Sequence, residues 1–284
     1  MAVAEAVNGI YNLDMVNLEK EIYQSPHSLL DADLVFNALH GGDGENGTVQ
    51  AYLDLHHIAY TGSGSKASKI AMDKNISKLI AHAIEIPTPN WVLLKRNRYT
   101  GLKLQNYDAL KFTYPYVVKP SNEGSTYGLS IVHDEGELSK AIGRAAEYSD
   151  EILIEEYIPG RELTVGILGK KALPIVEIIP SHNFYDFECK YTEGMSEYKV
   201  PAELSDSLVR KISEDALKIY NTIGCRHYAR SDFRLNEKDE YYFLEINTLP
   251  GMTSTSLLPK AAKAAGLEFP DLIDIIIKIA TLEQ

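Results

Sequence analysis

Residues 228–235 read Tyr-Ala-Arg-Ser-Asp-Phe-Arg-Leu and residues 241–247 read Tyr-Tyr-Phe-Leu-Glu-Ile-Asn, with the polar turn Asn236-Glu237-Lys238-Asp239-Glu240 between them. Side chains alternate faces along a strand. Arg230 and Asp232 therefore share one face of the first strand, and Phe233 and Leu235 the other. In the second strand Glu245 and Asn247 share a face, and Leu244 and Ile246 point oppositely. Joining the apolar faces into one core gathers Asp232, Glu245 and Asn247 on the other side. Like charges facing one another across a sheet destabilise it. A hard cation removes that penalty, and oxygen-only ligands suit Mg²⁺ or Mn²⁺. A solvated hairpin face with scattered charges is the competing reading. The segment Thr248 to Ser256, TLPGMTSTS, weighs against it, because small residues beside an acidic cluster offer N–H groups and hydroxyls to phosphate or carboxylate.

Working outward, Val117 to Gly128 reads VVKPSNEGSTYG: a strand delivers Lys119 into a loop of Ser, Gly and Thr. A lysine is a point cation suited to phosphate, and glycines let backbone N–H groups approach it. Ile154 to Glu162, IEEYIPGRE, is a strand ending in a linker whose main chain can meet a purine edge. Met72-Asp73-Lys74 on a helix adds a second candidate phosphate lysine. Further upstream, Ala32–Leu39 is a compact apolar run of the kind buried in a parallel sheet, and it ends in the glycine-rich turn His40–Gly47. Such a turn at the C-terminal edge of a sheet is a usual ligand position in α/β proteins.

Periodicity supplies the remaining elements. Residues 2–8 are helical in propensity, 12–18 alternate as a short strand, 48–56 look helical and 58–61 strand-like. A helix is expected over 67–83 with Ile70, Ile76, Leu79, Ile80 and Ala83 on its apolar positions, stopped by Pro87 and Pro89. Strands are expected at 91–94, 116–119, 130–132 and 152–157, with a helix at 135–148. A hairpin of 163–168 with 173–179 turns around Gly169. Residues 182–198 are polar, aromatic and weakly patterned, the signature of a long loop and a candidate lid. Ser205–Ile223 is amphipathic with Gly224 as its cap, and a final helix runs from Phe269 to about Leu282.

The 284 residues allow two or three domains, and the 45% apolar fraction supports a sizeable core. A formal charge of −12 argues against nucleic acid as a partner but not against nucleotides. Two cysteines, Cys189 and Cys225, are too few for a disulfide framework and fit a reducing cytoplasm. No apolar run of about 18 residues predicts a membrane span, and no signal peptide is read at the N-terminus.

The order of these motifs resembles the D-alanine–D-alanine ligases of the ATP-grasp superfamily, over roughly residues 33–284. The blocks that carry the resemblance are HGGDGENG, YTGSG, MDK, VVKPSNEGSTYGLS, ILIEEYIPGRE, FYDFECKY, ARSDF and LEINTLPGMTSTS. The resemblance implies an α/β (α+β) ATP-grasp fold: an N-terminal α/β domain over residues 1–70, a central subdomain over 71–160 and a C-terminal subdomain over 161–284. It implies an ATP-dependent ligase joining two D-alanines for peptidoglycan precursor synthesis. Lys74, Lys119, Glu123 and Ser125 would bind ATP, with Lys190 facing its phosphates from the 182–198 loop. Glu155, Tyr157, Ile158 and Glu162 would contact adenine and ribose. Asp232, Glu245 and Asn247 would hold two Mg²⁺, for which Mn²⁺ can substitute. Arg230 and the Gly251 amide would form the oxyanion site, Ser125 and Tyr191 a polar network near the first amino acid, and His40 would sit beside that substrate. Ser256 and Leu257 would receive the second D-alanine. A cytoplasmic homodimer using small-molecule substrates is the family expectation.

The family's opening strand and glutamate-bearing turn are not found ahead of the first helix, so weak binding of the first D-alanine is expected. Ligation of D-alanine to D-serine, D-lactate or another amino acid, and nucleotide binding without turnover, are the alternatives.

Overall fold

The computed structural model describes all residues except 18–28, 30, 98–100, 103–111, 125–126, 181–194 and 283–284. Its N-terminal part holds helix α1 (Ala2–Ala6), a 3₁₀ turn at Gly42–Gly44 and helix α2 (Thr48–Leu55). Two expectations are corrected here. Residues 12–17 form no strand, and of the expected strand at 32–39 only one parallel bridge remains, Val35 with Tyr60. Leu29, Val49, Leu53, Ile58 and Tyr60 form a small core beneath that bridge.

The expected helix at 67–83 is two helices, α3 (Ser65–Met72) and α4 (Lys74–Ala83). Asp73 separates them with an extended backbone, φ −80° and ψ 99°, and its carboxylate caps α4 by accepting the Ile76 N–H at 3.1 Å. An aspartate is among the best N-caps, and the apolar periodicity running through it concealed the break. The buried stripe also differs. Ile76 and Leu79 are exposed, and α4 buries Lys74, Ser77, Lys78 and Ala81 instead.

Two antiparallel sheets follow. The first combines β1 (Trp91–Asn97), β2 (Gly101–Leu102), β3 (Tyr116–Pro120), β4 (Ser130–Val132) and β5 (Glu151–Glu156) in the order β2-β1-β5-β3-β4. Tyr116, Val118, Ile152 and Ile154 pack against α5 (Glu135–Ala145), which buries Leu138, Ala141, Ile142 and Ala145. Strand alternation turns Lys119 and Glu155 to the opposite face.

The second sheet contains β6 (Arg161–Leu168), β7 (Lys171–Ala172), β8 (Val176–Pro180), β9 (Ser196–Lys199), β10 (Tyr228–Leu235) and β11 (Tyr241–Asn247). Its order is β11-β10-β6-β8-β9, with β7 beside β6. Strand β9 corrects the end of the expected 182–198 loop: residues 196–199 pair with β8, while 181–194 lie outside the described residues. Helix α6 (Asp206–Ile223) is capped by the Ser205 side chain and by left-handed Gly224, φ 83°. It packs with α3 and α4 on one face of this sheet. Helices α7 (Leu257–Ala264) and α8 (Phe269–Leu282) pack on the other. Among the described residues no helix is long and apolar enough to cross a membrane.

Cys225 lies at the end of α6 and its thiol is pushed up to about 12, chiefly by burial and against a hydrogen bond with Ser63. A thiol raised above its unfolded value contributes stability below that value and loses it as pH rises through the folded one. Stability is therefore expected to fall between about pH 9 and 12, and Cys225→Ser to flatten that fall. Urea midpoints of both proteins across this range check it; parallel curves would dismiss the contribution.

Candidate active site

A cleft partly open to solvent runs between the two sheets. Lys74, Lys119, Glu123, Glu155, Tyr157, Ile158, Glu162, Arg230, Asp232, Glu245 and Leu257 all line it. Local structure explains why the lysines converge. The α3–α4 junction docks on the end of β3: the Lys74 N–H donates to the Ser121 carbonyl at 3.0 Å, and the Ser121 hydroxyl donates to Asp73 at 3.1 Å. Lys74 thus begins α4 beside the loop that follows Lys119. Its ammonium donates to the Glu123 carbonyl at 2.6 Å and lies 3.1 Å from Glu245.

The acidic end comes from β10 and β11. Asp232 and Glu245 are direct partners across the pair, as are Arg230 and Asn247. The register shifts between Asp232 and Phe233, which leaves Leu244 as an extra residue. This bulge corrects the expected alternation of β11. Phe243 and Ile246 enter the core, whereas Leu244 joins Glu245 on the cleft wall. A bulge puts two residues opposite one and re-aims a side chain. Arg230 grips Asp232 with two bonds of 2.9 Å, and the Thr164 hydroxyl donates to the same carboxylate at 2.5 Å. The Asn247 side-chain oxygen accepts the Leu249 N–H at 2.8 Å.

The donor set matches a hard cation in one specific way. Among the described residues no group of three or more His, Cys, Asp or Glu could cage a metal by itself. Mg²⁺ is typically held by one or two carboxylates together with substrate phosphates and waters, which two facing carboxylates and an amide can provide. Both carboxylates already meet a positive group here, Arg230 and Lys74.

At the other end, Glu155 is buried between two lysines, its oxygens 2.8 Å from Lys78 and 2.6 Å from Lys119. Burial pushes Glu155 up, but the ammonium groups of Lys119 and Lys78 outweigh it and hold the carboxyl below its ordinary range. Burial likewise pushes Lys78 down to about 8, against the pull of Glu155. In the linker after β5, Arg234 donates to the carbonyls of Ile158 at 3.0 Å and Gly160 at 2.9 Å. It also lies 3.3 Å from Glu162.

His40, Gly251 and Ser256 form a neighbouring cluster. A Cβ built on Gly251 would lie 3.0 Å from the Ser256 hydroxyl and 3.6 Å from the His40 ring. Ser256 and Leu257 stand at the N-terminus of α7. Ser125, Lys190 and Tyr191 lie outside the described residues. Sequence reasoning passed over Lys78, Arg234, Thr164 and Glu45, the last of which accepts the Gly41 N–H at 2.9 Å. Arg234 was recoverable, as the third residue on the face of Arg230 and Asp232; Lys78 was not, because a lysine on a helix reads as solvated.

Comparison with known proteins agrees with this architecture. A family model described as D-ala D-ala ligase C-terminus matches residues 80–278, and one described as D-ala D-ala ligase N-terminus matches residues 9–63. The chain is 43% identical over 278 residues to a D-alanine–D-alanine ligase of Aquifex aeolicus, covering 97% of this chain and 91% of that protein. It is 44% identical over 252 residues to one of Syntrophotalea carbinolica, covering 89% of this chain and 80% of that protein. A D-alanine–D-alanine ligase from Bacillus anthracis, solved in complex with ATP, superposes with a TM-score of 0.84 at 34% identity, covering 99% of this chain and 90% of that one. The VanG D-Ala:D-Ser ligase of Enterococcus faecalis gives 0.77 at 34% identity, covering 87% and 73%.

Two antiparallel sheets enclosing a lysine- and carboxylate-lined cleft, matched over nearly the whole chain, define an ATP-grasp protein, an ATP-dependent carboxylate–amine ligase. Within that class, the chain belongs to the D-alanine–D-alanine ligase family.

Proposed function

We propose that this protein joins two D-alanines through an acyl-phosphate intermediate and so serves peptidoglycan precursor synthesis, as a cytoplasmic homodimer. The observation that carries the reading is the convergence of Lys74, Lys119, Arg230, Asp232 and Glu245 on one cleft, with His40, Gly251 and Ser256 clustered together.

A carboxylate is a poor electrophile, and phosphorylation converts it into one that an amine can attack. Lys74 and Lys119 would balance charge as the γ-phosphoryl moves, the usual division of labour in phosphoryl transfer. Asp232, Glu245 and Asn247 would hold Mg²⁺ or Mn²⁺, which would supply positive charge against the charge developing on the transferred phosphoryl group. Arg230 and the Gly251 N–H would face the oxyanion that forms when the second amine attacks. Removing one such donor typically costs about 3–4 kcal/mol of transition-state stabilisation. The N-terminus of α7 with Ser256 suits the carboxylate of the second D-alanine, since orphan N–H groups and the helix dipole both favour an anion there. Tyr157, Ile158 and Glu162 would meet adenine and ribose along the linker that Arg234 holds, whereas Glu155, expected there with them, has its two carboxylate oxygens on Lys78 and Lys119. Ser125, Lys190 and Tyr191 keep the roles that the family resemblance implies.

The test is a coupled ADP assay with D-alanine, D-serine, D-lactate and L-alanine as acceptors, and mass analysis of products. D-alanine-dependent ADP release with D-alanyl-D-alanine as the main product is expected. A mixed product would move the reading to another D-amino acid or D-lactate acceptor. ATP binding without D-alanine-dependent turnover would overturn it.

A further inference from the structure

We propose that Lys78, which does not line the cleft, is a positioning residue for nucleotide binding: it occupies one oxygen of Glu155 so that the other oxygen holds Lys119 toward the phosphates. This rests on the reading that the cleft binds ATP.

Lys74 and Lys78 are four residues apart on α4 and so share one face of the helix. Lys74 reaches the cleft, while Lys78 is fully buried behind it. Its ammonium lies 2.8 Å from Glu155, donates to the Thr88 hydroxyl at 2.7 Å and sits 5.0 Å from the Trp91 ring centre. Thr88 in turn donates to the Phe243 carbonyl at 2.9 Å, on β11 two residues before Glu245. The group is therefore fixed from both sheets.

A buried ammonium is costly, and an apolar side chain of similar volume would fill the space without that penalty. The charge has a specific partner. Glu155 stands between two lysines with one oxygen for each, and only Lys119 of the two faces the cleft. Without Lys78, both Glu155 oxygens are available to Lys119 and draw it away from a phosphate. Alternatively the buried carboxyl takes up a proton and releases Lys119. Either way, the cation that should meet the nucleotide loses its fixed direction.

The experiment is a double-mutant cycle on Lys78→Met and Glu155→Gln. ATP affinity is measured by calorimetry, and KM for ATP and for D-alanine separately by ADP release. Lys78→Met is expected to weaken ATP binding by roughly 10- to 100-fold, by analogy with the loss when a residue that orients a metal ligand is removed. The KM for D-alanine should stay within about twofold, as expected for uncoupled sites. In the Glu155→Gln background, adding Lys78→Met should change ATP affinity by less than about twofold. Wild-type ATP affinity in Lys78→Met, or an equal loss in both backgrounds, overturns the proposal. Should Lys78→Met alone not fold, Glu155→Gln against the double variant carries the same test, since the double variant leaves no unpaired buried charge from this couple. A further loss of about tenfold between those two would overturn it. A wild-type chain that binds no ATP would instead overturn the reading of the cleft, and the proposal with it.

Discussion

Replacing Glu245 with Gln is expected to lower kcat by roughly 10²- to 10⁴-fold, the equivalent of several kcal/mol of lost transition-state charge stabilisation. Glu245 faces Asp232 across the β10–β11 pair and its partner is Lys74, 3.1 Å away. The substitution thus removes half of the facing carboxylate pair and the ion pair of Lys74, which keeps its bond to the Glu123 carbonyl. The fold should survive. The Glu245 side chain is 29% exposed on the cleft wall, and Phe243 and Ile246 carry the core contacts of that strand. The check is a Mg²⁺ titration of D-alanine-dependent ADP release, with a thermal melt of the same sample. A variant that melts like the wild type and keeps the wild-type rate at every Mg²⁺ concentration would remove Glu245 from the mechanism.

The second large effect concerns stability. Gly160 joins β5 to β6 with φ at +120°, and a Cβ there would lie 2.1 Å from the Leu235 carbonyl oxygen and 3.0 Å from the Asn236 Cα. Both obstacles are backbone atoms, so no side-chain rotation relieves them. The conformation costs about 1–3 kcal/mol for a non-glycine residue, and overpacking typically adds about 1–3 kcal/mol. Gly160→Ala is therefore expected to destabilise the protein by roughly 2–6 kcal/mol. The same change pushes on the linker whose carbonyls Arg234 holds, so KM for ATP should rise alongside. Gly224, also at positive φ, has nothing within 4 Å of an added Cβ and serves as the control. Gly224→Ala should cost about 1–3 kcal/mol with ATP affinity unchanged. Equal melting losses in the two variants would show that backbone conformation alone matters at Gly160.

Much of this protein was decided by local sequence. The α6 helix runs between the serine and glycine that mark its ends, because a side-chain cap and a left-handed C-terminal residue are chosen by a few adjacent atoms. The face shared by Arg230 and Asp232 followed from the two-residue period of a strand, and the same period put Phe233 and Leu235 in the core. Ordered motifs were enough to indicate the family, and three of them, around Lys119, Glu155 and Arg230, are short contiguous pieces of the cleft wall.

Tertiary structure decided the rest. The bulge at Leu244 depends on how two strands register, which neither strand encodes alone. The break at Asp73 was hidden by an apolar stripe that runs through it, and docking on Ser121 helps fix it. Ile76 and Leu79 are apolar yet exposed, while Lys78 is charged yet buried. A lysine four residues from another on a helix reads as a solvated face. Only the arrival of Glu155 from a strand nearly 80 positions later gives that charge a partner and a reason to be inside. Periodicity reports the average environment of a face, whereas a buried ion pair is set by two specific side chains that the fold brings together.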